Sequence, residues 1–168
     1  GPAKVCLHVA LLCGLVHFCG DAQSSPGEFS SVDMSKVKVD GEIGRRIDLT
    51  IYNNLLVLDV ERDFLSPFRE PHDKPREHPD NYFGLGKLID ASVKFAYYSG
   101  DEKALAFKNH LIDEVIQCQL EDGYIGAFRP EDRLKMAWDG HELVYLIYGL
   151  TSDYHYFHHQ KSLDAAVK

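Results

Sequence analysis

Residues 88–105 read LIDASVKFAYYSGDEKAL, and residues 146–163 read LIYGLTSDYHYFHHQKSL. The two align without a gap at a constant offset of 58 residues. Leu88 falls on Leu146, Ile89 on Ile147, Lys103 on Lys161 and Leu105 on Leu163. Few identities match, but the leucine positions and the helix–turn–helix plan do. A repeat of this length means stacked helical hairpins. One hairpin cannot bury its apolar faces alone, so several must stack or close into a ring. The sequence therefore predicts an all-α fold, either a short solenoid or the opening part of a longer ring.

Outward from the repeat, apolar residues keep helical spacing. Leu85, Leu88, Ile89, Val93 and Ala96 share one face of a helix expected over 82–98. Ser99-Gly100-Asp101 supplies a helix stop and then an N-cap. Leu105, Leu111, Ile112, Val115 and Ile116 mark the next helix, over 102–119. The short connection makes those two helices antiparallel. A loop is expected over 120–139, a fourth helix over 140–156, and a fifth from Lys161. Upstream, Ile43, Ile47, Ile51, Leu55 and Leu58 form one apolar stripe, read as a single helix that fails near Ser66-Pro67. Residues 66–81 carry four prolines and are expected to be neither helix nor interior strand.

The first segment is expected to lie outside the fold. Lys4 precedes the apolar run VCLHVALLCGLVHFCG, and Gly20 and Ala22 are small residues at cleavage-site spacing. This reads as a signal peptide over 1–22, with a buried helix or a membrane anchor as alternatives. Residues 23–40 read as a linker. Cys6, Cys13 and Cys19 lie in the signal segment, so the expected mature chain keeps only Cys118 and no internal disulfide. The expected location is secreted or periplasmic, with no membrane attachment after cleavage. The 168-residue chain carries a formal net charge of −8. That balance disfavours nucleic acid and anionic membranes, which need clustered Lys and Arg.

Four segments then occur in order: GRRIDLTIYNNLLVLDVERDFLSPFR (44–69), LGKLIDASVKFAYYSGDEKAL (85–105), QCQLEDGYIG (117–126) and DGHELVYLIYGL (139–150). Over residues 37–168 the chain resembles the N-terminal part of the catalytic domain of β-L-arabinofuranosidase-like glycoside hydrolases, family 127 and its relatives. The Gln-x-x-Asp-Gly-Tyr loop and the His-Glu-Leu helix start are the most specific parts. The resemblance implies an (α/α)6 toroid of six helical hairpins, of which residues 41–168 form an incomplete, truncated portion. It implies a carbohydrate substrate on plant-type polysaccharide or glycan side chains. It also implies a retaining mechanism in which a zinc-held cysteine attacks the sugar and a glutamate protonates the leaving oxygen. Zinc is expected for the full-length family member. Those residues lie downstream of the matched region, so no catalytic residue and no metal ligand is assigned in this chain.

Part of a sugar-binding wall does carry over. His141 matches the family's histidine at that helix start and is the leading candidate for sugar contact. Trp138 and Tyr124 offer flat apolar faces for sugar C–H groups, or else pin their loop. Asp122 and Asp139 could bind sugar hydroxyls, although Asp122-Gly123 is also an ordinary turn pair. Glu142 is expected in a first helical turn, where the dipole favours it. It could alternatively pair with Asp139 as half of a carboxylate couple. His155, His158 and His159 have metal-ligand spacing but are expected in a solvated turn. Two other readings share the fold or the helices: an (α/α)6 hydrolase with carboxylate catalysis, such as an unsaturated glucuronyl hydrolase, and a non-catalytic helical binding module.

Overall fold

The computed structural model describes residues 30–69, 84–135 and 137–168. The signal segment, the first part of the linker (23–29), and residues 70–83, which hold most of the proline-rich stretch with His72 and His78, lie outside the described residues. The chain divides into two units, Gly1–Val32 and Asp33–Lys168. The described helices all belong to the second unit.

No strand occurs among the described residues. Their six α-helices run in the order α1 (Gly41–Thr50), α2 (Ser66–Arg69), α3 (Leu85–Ser99), α4 (Glu102–Gln117), α5 (Ala137–Phe157) and α6 (Gln160–Val167). The Ser-Gly-Asp signal acts as its chemistry dictates. Gly100 takes the left-handed conformation (φ +62°) after α3, and its N–H bonds the Ala96 carbonyl at 3.0 Å. Asp101 Oδ1 then accepts the N–H groups of Lys103 (2.9 Å) and Ala104 (3.0 Å), capping α4. The second hairpin, α5 and α6, turns at His158 (φ +56°) and His159.

The stripe from Ile43 to Leu58 does not make one helix. After Thr50 the backbone widens to a π-turn over Ile51–Leu55, closed by Leu56 N–H to the Ile51 carbonyl at 2.9 Å. A wider turn moves later residues off the helical register. Ile51 and Leu55 are buried, while Ile43 is 67% exposed. A second π-turn, Glu61–Leu65, runs into α2. Pro67 therefore lies inside a helix rather than in the expected non-helical stretch. Proline has no N–H to bond back to the preceding turn, and Ser66 Oγ donates to the Arg62 carbonyl (2.8 Å). Arg45 and Arg46 pair with Glu42 on the exposed face of α1, at 2.8 and 2.9 Å.

The main core joins α2 to α3, α4 and α5, and a second, smaller cluster of Ile51, Ala96 and Ala104 has Ile47 of α1 packed against it. Leu65 and Phe68 pack with Leu85, Ile89 and Val93 of α3, Leu111, Ile112 and Val115 of α4, and Leu146 and Leu150 of α5. Glycines decide how α3 and α5 meet. A Cβ on Gly86 would collide with the backbone of Tyr145 and Leu146, and one on Gly149 would sit 2.9 Å from the Gly86 carbonyl oxygen. The two helices run parallel. Gly86 lies against Tyr145 and Leu146, Asp90 Oδ1 accepts Ser152 Oγ–H (2.7 Å), and the Tyr97 ring lies 4.8 Å from that of Tyr156. The repeat in the sequence is thus two equivalent helices side by side. Gly86→Ala is expected to push them apart and lower stability by about 1–3 kcal/mol, the usual cost of overpacking a tight contact. Chemical denaturation measures it, and an unchanged midpoint contradicts the backbone contact.

Candidate functional site

The residues singled out in the sequence gather between α4 and the start of α5. Gln119 anchors the loop there. Its Nε2 donates to the carbonyls of Gly123 (2.9 Å) and Ala165 (2.8 Å), tying the loop to α6. Gly123 has φ +89°, and a Cβ there would strike the Lys168 backbone. Asp122 Oδ1 accepts the Tyr124 N–H (3.2 Å), while its other oxygen pairs with Arg133. Arg133 first, and then the Tyr124 N–H, lowers the Asp122 pKa. The Arg133 guanidinium also covers the Tyr124 ring, 3.9 Å from its centroid.

Asp139 is the hub. Helix α5 begins at Ala137, three residues earlier than expected, so Trp138 and Asp139 lie in its first turn rather than in a loop. Asp139 is 2% exposed. One of its oxygens accepts the Tyr124 hydroxyl (2.7 Å) and the other accepts the Leu134 N–H (2.7 Å). The Tyr124 oxygen in turn accepts the Phe128 N–H at 3.2 Å. Burial, then the Asp139 hydrogen bond and charge, drives the Tyr124 pKa well above its ordinary value. Asp122, Tyr124 and Asp139 thus form one internal brace across the loop.

Of the other two candidates, Trp138 faces outward and His141 is partly covered, with its Nδ1 buried. Trp138 is 41% exposed at the helix start. His141 is half-buried, with its ring between Trp138 (centroids 5.6 Å apart) and Tyr145 (4.8 Å). An aromatic face and a ring nitrogen donor or acceptor therefore stand together at the mouth of α5. That combination suits a sugar, which presents C–H patches beside hydroxyls.

Glu142 is neither an exposed first-turn residue nor a partner of Asp139. It is 5% exposed, and its two oxygens accept the N–H groups of Gly84 (2.9 Å) and Gly86 (2.8 Å). It caps a different helix, α3, whose own N-cap Gly84 has no side chain to do so. The histidines also divide. His155 lies in the last turn of α5 and His158 turns the chain, whereas His159 Nδ1 lies 3.0 Å from the buried Asp153 Oδ2. Sequence reasoning missed the group around Asp153. Lys108 is fully buried and donates from Nζ to Asp153 Oδ1 at 2.6 Å. The available signal was spacing: Lys108 sits on the apolar face of α4 with Ala104, Leu111, Ile112 and Val115.

The zinc-held cysteine implied by the resemblance does not fit the described residues. Among them no three His, Cys, Asp or Glu side chains come together to hold a metal. Burial raises the Cys118 thiol pKa, with Arg69 pulling the other way, whereas a nucleophilic thiolate needs it lowered. Among the described residues no helix is long and apolar enough to cross a membrane.

Paired helical hairpins with the equivalent helices parallel define an all-α helical-hairpin domain. The family model described as Beta-L-arabinofuranosidase, GH127 catalytic domain, matches residues 53–168. The chain belongs to that family, whose fold is an (α/α)6 toroid and whose substrates are carbohydrates. No curated protein and no solved structure gives a significant match.

Proposed function

We propose that the chain is a secreted carbohydrate-active protein whose helices supply the sugar-binding wall of a β-L-arabinofuranosidase-type hydrolase. Its substrate is a β-L-arabinofuranoside on a plant-type polysaccharide or glycan side chain. The observation that carries this reading is the placement of His141 and Trp138 together at the solvent-facing start of α5, in the matched region. Trp138 takes a C–H face of the sugar, and the imidazole of His141 hydrogen-bonds a hydroxyl. The brace of Asp122, Tyr124 and Asp139 holds the loop so that both rings keep their positions. In this reading the groups that break the glycosidic bond come from outside the described residues.

Saturation-transfer NMR with methyl β-L-arabinofuranoside tests the proposal. The 168-residue chain is expected to bind it, and His141→Ala is expected to weaken binding about tenfold, the value of a hydrogen bond and a ring contact together. Equal binding by both proteins, or by neither, rejects the reading.

A further inference from the structure

Two side chains that the proposed function leaves unused meet beside His141. Tyr145 lies one helical turn further along α5, with its ring centroid 4.8 Å from that of His141. Lys87 comes from the other helix. It is the third residue of α3, and its Nζ stands 4.4 Å from the Tyr145 ring centroid. Lys87 is exposed and Tyr145 half-buried, so the pair borders solvent at the same mouth as Trp138.

Their meeting is built into the backbone. Gly86, next to Lys87, has no room for a Cβ against the Tyr145 and Leu146 main chain. On the adjacent turn the Glu142 carboxylate grips the N–H groups of Gly84 and Gly86. The two contacts stop the start of α3 from sliding along α5, and so hold Lys87 over Tyr145. An ammonium above a tyrosine ring is favourable in itself. With three N–H donors, it can also hydrogen-bond a ligand that lies beside the ring.

The geometry points to Lys87 and Tyr145 as specificity-determining residues of the carbohydrate site. Resting on the reading that the α5 mouth binds sugar, the inference assigns each a role. The Tyr145 ring holds the Lys87 ammonium at the mouth beside His141, and Lys87 donates to a hydroxyl of the glycoside. Together with His141 they select a sugar by which hydroxyls share a side of its ring. The closely related sugar whose hydroxyl points to the opposite side loses the Lys87 bond.

The test compares methyl β-L-arabinofuranoside with its C2 epimer, methyl β-L-ribofuranoside, which inverts one hydroxyl, by saturation-transfer NMR on the 168-residue chain. Lys87→Met keeps the aliphatic stem over Tyr145 and removes the donors. It is expected to weaken arabinofuranoside binding about tenfold, to reduce discrimination between the two sugars, and to leave the melting temperature unchanged. Lys87→Arg is expected to restore most of the binding. Tyr145→Phe keeps the ring and is expected to bind within about twofold of the unsubstituted chain. If Lys87→Met binds and discriminates like the unsubstituted chain while His141→Ala loses binding, this inference falls and the function reading stands. If the unsubstituted chain binds neither sugar, or if His141→Ala binds normally, both fall.

Discussion

Asp153→Ala is expected to cost the fold about 3–5 kcal/mol, the loss typical of breaking a buried ion pair from one side. Asp153 and Lys108 have fully buried side chains and meet at 2.6 Å. The second oxygen of Asp153 accepts Ser162 Oγ–H (2.5 Å) and faces His159 Nδ1 (3.0 Å). The Phe157 ring lies 4.1 Å from the Lys108 ammonium. This one carboxylate therefore joins α4, α5 and α6. Removing it leaves an ammonium in the core with an aromatic face and no counter-charge. Urea denaturation gives the measurement, and a loss under about 1 kcal/mol contradicts the arrangement. The double substitution Lys108→Met with Asp153→Leu removes both charges and is expected to recover most of the loss.

The same variant carries a pH signature. Burial lowers the Lys108 pKa, and the Asp153 hydrogen bond and charge oppose that shift. Without Asp153 the opposition is gone. Between the lowered folded pKa and the ordinary unfolded one, the unfolded chain binds more protons than the folded chain. Stability then rises with pH across that interval. The deficit of Asp153→Ala is accordingly expected to be smaller in mildly alkaline buffer than in acidic buffer.

Glu142→Ala is expected to cost about 3–6 kcal/mol, the sum of two hydrogen bonds to a charged acceptor. The carboxylate caps α3 from outside that helix, at 2.9 and 2.8 Å from the Gly84 and Gly86 nitrogens. It also places negative charge at the positive end of a helix dipole. The loss should be local first. Hydrogen exchange at the Gly84 and Gly86 amides is expected to speed up before the rest of α3 is affected, and unchanged exchange there contradicts the capping role. Glu142→Gln is expected to cost less, because its amide oxygen still serves one of the two N–H groups.

Much of the architecture was legible along the chain. The repeat, the Ser-Gly-Asp corner and the leucine spacing all express local rules: period, chirality and capping are settled within a few residues. So α3, α4, α5 and α6 appear close to where their spacing places them. The upstream stripe misled because periodicity cannot register one extra residue per turn. Ile43 to Leu58 keep helical steps, but the α-helix ends at Thr50 and gives way to a π-turn over Ile51–Leu55. Pro67 misled for a related reason, since Ser66 Oγ engages the turn that proline leaves without its N–H.

The site divides along the same line. Its chemical inventory, Asp122, Tyr124, Trp138, Asp139, His141 and Glu142, was determined by the sequence alone, as was the family to which that inventory points. Only the tertiary structure decided which of them face solvent. Asp139 and Glu142 lie three residues apart, yet both are buried: one braces the preceding loop and the other caps a helix 56–58 residues upstream. Trp138 and His141 have the same spacing and stay at the mouth. A carboxylate's role depends on which N–H and O–H groups the fold brings to it. Those groups come from distant segments, which no local pattern specifies.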